Sequence, residues 1–146
     1  MRRPPVFSAT IRPKWNYLLG QDNRRLRMKQ LFVPCRYQNR CGRIRTFRDY
    51  EVNGFGEVRN TKTGLILPRV VRKDGYWYVC LTGDDGRRMR ILLHRLVLSS
   101  LTTDGSGKGM TVNHKDENKL NTNINNLEWL TQAENNQKWL DNRKHI

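Results

Sequence analysis

The chain has 146 residues, a length typical of a single modest domain, and its 28 Lys and Arg against 13 Asp and Glu leave a net charge of +15. This surplus exceeds what solubility requires and indicates a polyanionic partner such as a nucleic acid. No segment has the roughly 20 apolar residues needed to span a bilayer, and the amino terminus lacks the apolar core of a secretion signal. We therefore expect no membrane partner and a cytoplasmic location.

The positive charge is concentrated at the amino terminus. Residues 1–48 contain 13 Lys or Arg and one acid, which gives +12, whereas residues 49–146 contain 15 against 12, which gives +3. Scattered prolines and aromatics predict an irregular basic arm over residues 1–48, with at most one short helix that begins at residue 22 or 23 and ends before Pro34. We expect this arm to contact phosphates through Arg24, Arg25, Arg27, Lys29, Arg43 and Arg45.

The three cysteines, Cys35, Cys41 and Cys80, are an odd number in a chain without an export signal, so we expect reduced thiols. Five residues separate Cys35 from Cys41, which is wider than the usual zinc-knuckle spacing, and no second Cys or His pair follows. A structural zinc site is therefore not favoured.

Residues 49–101 have the composition of a small β module. Four β-prone runs, residues 50–59, 65–72, 76–81 and 88–93, are separated by turns that contain glycine, which predicts an antiparallel meander. The spacing of apolar residues then predicts a short helix over residues 94–101. Arg72 is a further candidate for phosphate contact.

Residues 110–142 carry the residues suited to catalysis. The pattern predicts a strand that ends at Asn113 and His114, an Asn-rich loop, a second strand over residues 127–130, and a helix whose start is fixed by Thr131 and Glu134. Asn135 lies just over one turn into this helix and can face the strand that bears His114. An imidazole beside amide oxygens suits a general base next to a hard divalent cation, provided that the ring of His114 is accessible and faces Asn135.

Two blocks of sequence form a recognisable pattern. The first block is residues 50–60 with residues 62–64, 73–76 and 93–97. The second is Asn113-His114-Lys115-Asp116, then Asn126-Leu127-Glu128-Trp129, then Asn135. Together they resemble the HNH endonucleases, and the likeness is closest to phage homing enzymes with a β module ahead of the nuclease motif. The resemblance implies an α+β fold in which an antiparallel β meander precedes a ββα-metal motif, inside a host cell if a phage encodes the protein.

The resemblance also implies the site residues and the reaction. His114 would be the general base, Asn126 would brace the loop between the strands, and Asn113 and Asn135 would hold a single Mg²⁺ or Mn²⁺. Many relatives have Asp before the catalytic His, whereas Asn113 is neutral and brings no charge to the ion. Double-stranded DNA would be cut to 5′-phosphate and 3′-hydroxyl ends, with Lys115 among the DNA contacts.

Other interpretations remain open at this stage. The chain could be a non-catalytic basic protein that binds nucleic acid and derives from the HNH fold, or an RNA-associated protein whose arm stacks on unpaired bases. His94 is expected to pack with a hydrogen bond, and His145 to lie in the tail. Asp116 and Glu117 could assist the metal, but acids in an Asn-rich turn more commonly cap the turn or face water. The sequence leaves open the target site, nicking against double-strand cutting, and the oligomeric state.

Overall fold

Two three-stranded antiparallel sheets form the first part of the molecule in a computed structural model, which describes residues 29–102 and 106–144. Each sheet is a meander whose strands pair in chain order. The strands are β1 (Val33–Gln38), β2 (Ile44–Val52) and β3 (Val58–Asn60) in the first sheet, and β4 (Val70–Val71), β5 (Trp77–Thr82) and β6 (Arg88–Leu92) in the second. The prediction of an α+β fold with an antiparallel meander is confirmed.

The structure differs from the expected irregular arm at residues 33–48, where the chain forms β1 and the first part of β2. Cys35 and Phe47 face each other across these strands and are each 1% exposed. In the sequence Arg36 directly follows Cys35 and Arg48 directly follows Phe47, and these charged neighbours obscure the strands. The boundary expected at residue 48 consequently falls inside β2. Residues 29 and 30 are helical, but most of the predicted helix, with Arg24, Arg25 and Arg27, lies outside the described residues.

Two of the predicted strands are also shorter than expected. A turn at residues 53–56, in which Gly56 has a φ of 86°, divides the run of residues 50–59 between β2 and β3. In the run of residues 65–72 only β4 is regular strand, together with an isolated bridge between Arg59 and Ile66. Pro68 has no N–H to donate to a strand ladder and interrupts this run.

The helix α1 (Leu93–Leu101) packs against strands of both sheets, as the apolar spacing predicted for residues 94–101. Leu93, Leu96 and Val97 are fully buried and join Phe47 and Leu81 in one core. Within the described ranges, no helix is long and apolar enough to cross a membrane. The three cysteines are free: Cys35 is buried, Cys41 is exposed and Cys80 is intermediate.

The last part of the described chain has the predicted order of strand, loop, strand and helix. Its elements are β7 (Thr111–His114), a 3-10 turn (Ile124–Asn126), β8 (Leu127–Leu130) and α2 (Gln132–Lys144). The two strands are antiparallel neighbours. The amide of Glu134 donates to Thr131 Oγ1 at 3.1 Å, and the amide of Thr131 donates to Glu134 Oε1 at 2.9 Å. This reciprocal pair is the predicted capping box, and it fixes the start of α2.

Arg95 connects the β module to the β7–β8 hairpin. It is 6% exposed, and its guanidinium donates to the carbonyl oxygens of Gln38, Gly107 and Met110. The same guanidinium lies 4.9 Å from the centroid of the Trp129 ring. A buried cation is tolerated where its donors are satisfied in this way, so Arg95 fixes β1, α1 and β8 relative to one another.

Candidate active site

His114 ends β7 and is covered by two other rings. The centroid of its imidazole lies 5.0 Å from that of His94 and 5.8 Å from that of Tyr76, which the turn between β4 and β5 carries over it. The residue is only 6% exposed, against the expectation of an accessible ring. Its Nε2 is buried, and no described residue provides it with a hydrogen-bond partner.

Burial also favours the neutral form of both histidines. It lowers the pKa of His114, with a further contribution from Lys119 and an opposing one from Asp116. Burial, followed by the charges of His114 and Arg95, lowers the pKa of His94 to about 3. His94 packs against Tyr76 at 4.8 Å between centroids, but its Nδ1 has no hydrogen-bond partner among the described residues. His94 therefore packs as expected, but its Nδ1 does not make the expected hydrogen bond.

Asn126 holds the loop between the strands, as the resemblance implied. Its Oδ1 accepts from the amide of Asp116 at 2.9 Å, and its Nδ2 donates to Asp116 Oδ1 at 2.9 Å and to the carbonyl of Asn121 at 3.0 Å. Asp116 also accepts from the amide of Asn118 and the side chain of Asn121, and these contacts hold its pKa below the usual range. Asp116 therefore stabilises the turn.

Asn113 and Asn135 lie on two elements that pack against each other, β7 and α2. Asn113 lies next to His114 on β7 and is half-buried. Of the described α2 side chains, those of residues 132–143, Asn135 alone is half-buried while the rest are exposed. Because α2 packs against β7 and β8, this burial identifies Asn135 as a residue on the helix face that meets the hairpin.

Glu128 and Lys138 lie beside Asn113 and were not singled out from the sequence. Glu128 lies opposite Asn113 in the strand register, and its Oε2 accepts from Asn113 Nδ2 at 3.1 Å and from Lys138 Nζ at 2.9 Å. The contact could be found from the sequence only through the strand register, because pairing His114 with Leu127 places Asn113 opposite Glu128.

The candidate donors for an ion at this site are the amide oxygens of Asn113 and Asn135. Among the described residues there is no group of three or more His, Cys, Asp or Glu side chains that could hold a metal ion. Neutral hard oxygen donors suit Mg²⁺ or Mn²⁺, which retain water and bind phosphate oxygens at protein sites with few ligands. The residues therefore fit a hard divalent ion that shares its coordination with a phosphate, and they do not fit a closed structural site.

The predicted phosphate contacts within the described residues have different surroundings. Arg43, Arg72 and Lys115 are exposed. Arg45 is half-buried and pairs with Asp85 at 3.6 Å, while Lys29 is half-buried with its Nζ 5.9 Å from the Phe55 ring centroid. The first three are the more accessible to a polyanion.

Comparison with known proteins agrees with this geometry. The HNH endonuclease family model matches residues 92–137, which contain α1, β7, β8 and the start of α2. This segment is similar to the HNH endonucleases.

Curated relatives extend the match beyond the motif. The chain is 39% identical over 93 residues to HNH endonuclease L245 of Acanthamoeba polyphaga mimivirus, covering 64% of this chain and 27% of that protein. It is 39% identical over 87 residues to the DNA endonuclease I-HmuI of Bacillus phage SP01, covering 59% and 48%. It is 32% identical over 108 residues to the H-N-H endonuclease F-TflII of Escherichia phage T5, covering 70% and 53%. The chain therefore spans about half or less of the length of these relatives.

A solved structure is similar to this chain in both fold and sequence. The structure describing DNA binding and cleavage by the HNH homing endonuclease I-HmuI matches with a TM-score of 0.58 and 35% identity, over 64% of this chain and 52% of that one. The likeness to phage homing enzymes, inferred from residues 50–64 and the Asn113–Asn135 motif, is thereby confirmed.

Proposed function

We propose that this protein is an endonuclease that hydrolyses phosphodiester bonds of double-stranded DNA with one bound Mg²⁺ or Mn²⁺. The observation that carries the proposal is the combination of the unpartnered Nε2 of His114, the half-buried Asn113 beside it, and Asn135 on the helix face against the same hairpin. The names of the phage relatives and the net charge of +15 support DNA as the substrate.

In this proposal each residue has a separate role. His114 takes the proton of the attacking water on Nε2, and its lowered pKa keeps it in the neutral form that a base requires. Asn113 and Asn135 hold the ion, and Asn126 keeps the loop after His114 in place. When bound, the ion supplies positive charge to the scissile phosphate and the leaving 3′ oxygen. The products are 5′-phosphate and 3′-hydroxyl ends.

The burial of His114 adds a requirement to this mechanism. A water molecule reaches Nε2 only if the covering groups separate, and of the two covering rings Tyr76 is the one outside the matched segment of residues 92–137. Lys119 lies 4.9 Å from the Tyr76 ring centroid and donates to the carbonyl of Asp74 on the same turn. We propose that DNA binding moves this turn and exposes the base.

We propose that exposed cations of the β module and of the β7–β8 region contact the DNA. Arg43 and Arg72 lie on the β module and Lys115 directly follows His114. Arg24, Arg25, Arg27, Lys29 and Arg45 are the other proposed contacts. These cations position the backbone and carry no base specificity by themselves.

Incubation with supercoiled plasmid and Mg²⁺ or Mn²⁺ tests the proposal. We expect nicked or linear DNA from the parent, and loss of cutting in His114→Ala and Asn135→Ala. Asn136→Ala is the matched control, because this exposed asparagine follows Asn135 on the same helix. Undiminished cutting by His114→Ala would contradict the proposal. Binding of duplex DNA without cutting by the parent would favour the non-catalytic alternative, and preference for RNA at fixed salt would favour the RNA-associated one.

A further inference from the structure

The contact between Asn113 and Glu128 restricts how the amide of Asn113 is turned. The two residues are partners across β7 and β8, and Nδ2 of Asn113 donates to Oε2 of Glu128 at 3.1 Å. A side-chain amide has a donor end and an acceptor end, whereas an ionised carboxylate can only accept. The carboxylate therefore holds the NH₂ group of Asn113 on its own side, and Oδ1 is turned away from Glu128.

Glu128 has a second contact, which ties it to α2. Lys138 on α2 donates from Nζ to the same Oε2 at 2.9 Å, in a pair whose side chains are 49% and 27% exposed for Lys138 and Glu128. Lys138 lies three residues after Asn135, a spacing that places both on neighbouring positions of the helix surface. One carboxylate thus connects the strand of Asn113 with the helix of Asn135.

We propose that Glu128 is a positioning residue that turns the carbonyl oxygen of Asn113 toward the metal ion, an inference that rests on the proposed function. An amide binds a cation only through its oxygen, so a reversed Asn113 would present two N–H groups to the ion. The neutral Asn113 lacks the second oxygen that an aspartate would offer in either orientation. Glu128 supplies the orientation that an aspartate would not need.

The isosteric variant Glu128→Gln tests this role, because a glutamine amide can donate to Asn113 Oδ1 and so permits the reversed orientation. Mn²⁺ affinity is measured on the full chain without DNA, by electron paramagnetic resonance of the free ion. We expect affinity to fall about tenfold, the lower end of losses seen when groups behind metal ligands are changed. Asp141→Asn removes the same charge from an exposed residue of α2 whose side-chain partner is Gln137, and it should bind Mn²⁺ as the parent does.

A second pair of variants separates orientation from any other role of Glu128. In an Asn113→Asp background both side-chain oxygens can bind the ion, so orientation no longer matters. Adding Glu128→Gln there should lower Mn²⁺ affinity much less than it does in the parent, because only the loss of one neighbouring negative charge remains. An equal loss of affinity in both backgrounds would overturn the inference.

The proposed function and the positioning role of Glu128 would be contradicted by different results. If the parent cuts DNA and binds Mn²⁺ while Glu128→Gln binds it equally well, the positioning role is wrong and the proposed function stands. If the parent neither cuts DNA nor binds Mn²⁺, the proposed function is wrong and the inference falls with it. Thermal melting without metal shows whether each variant is folded.

Discussion

His94 illustrates how strongly burial controls a single titratable group in this protein. Its pKa falls from the ordinary imidazole value of about 6.5 to about 3 in the folded chain, with desolvation as the main cause. The unfolded chain therefore binds a proton at pH values where the folded chain does not. The stability that depends on neutral His94 is present above pH 6.5 and is lost as the pH falls toward 3.

We expect this group alone to lower the free energy of unfolding by about 2 kcal/mol between pH 7 and pH 5. Urea denaturation at a series of pH values measures the effect. His94→Phe keeps a ring in the core and removes the titration, so its stability should depend less on pH over this range. An unchanged slope in His94→Phe would contradict the assignment. His114, whose pKa is also lowered, contributes to the slope that remains.

Tyr76 provides a second prediction at the residue scale, because its ring covers His114 from the β4–β5 turn. Tyr76→Ala should expose the imidazole and increase its reaction with diethyl pyrocarbonate several-fold, as read by peptide mass spectrometry. Tyr78→Ala is the matched control, since that ring contacts Arg72 and Asp74 instead. If His114 reacts equally in the parent and in both variants, Tyr76 is not the cover.

At the scale of elements, the capping box gives α2 a fixed first turn and so a fixed position for Asn135. Thr131→Ala removes the hydroxyl that accepts from Glu134 and should destabilise the chain by about 1 kcal/mol. Thr131→Ser retains the hydroxyl and should remain near the parent. Chemical denaturation measures both variants, and plasmid cutting should fall in parallel if the start of α2 positions Asn135. Equal stability of the two variants would refute the role of the cap.

The elements that could be predicted from sequence are those with a local signal. The capping box, the apolar spacing of α1 and the glycine turns each act within a few residues, and the structure contains all three. The strand β1 and the first part of β2 were missed because each has few buried residues, and an arginine directly follows Cys35 and Phe47. The short β4 depends on pairing with β5 and not on its own residues.

At the candidate site, the sequence indicated the individual residues but not the contacts between distant ones. The resemblance identified Asn113, His114, Asn126 and Asn135, but the cover of His114 and the contact of Glu128 with Asn113 arise only from tertiary packing. Tyr76 and His94 lie on elements far from residue 114 in the chain. No local pattern indicates that they meet it.

At the scale of the whole molecule, the turn between β2 and β3 packs against the Asn-rich loop of the nuclease motif. The amide of Ile124 donates to the carbonyl of Gly54 at 2.8 Å, and a Cβ on Gly56 would overlap the buried hydroxyl group of Thr122. This contact holds the loop that Asn126 braces against the first sheet.

Two glycines with similar backbone angles test the importance of that contact. Gly56 has a φ of 86° and Gly64 a φ of 74°, but a Cβ on Gly64 would meet nothing within 4 Å. Gly64→Ala should cost about 1 kcal/mol for the left-handed backbone alone. Gly56→Ala adds overlap with Thr122 and should cost about 3 kcal/mol in urea denaturation. Equal losses would show that the two parts do not depend on this packing.

The buried guanidinium of Arg95 has a consequence for protein engineering. One of its three carbonyl acceptors belongs to Gln38 at the end of β1, which lies outside the matched segment of residues 92–137. A chimera that transplants residues 92–137 alone would leave that donor unsatisfied and expose the apolar side of α1. Recombination breakpoints should therefore lie upstream of β1, so that the nuclease motif is inherited together with the sheet that completes its interior.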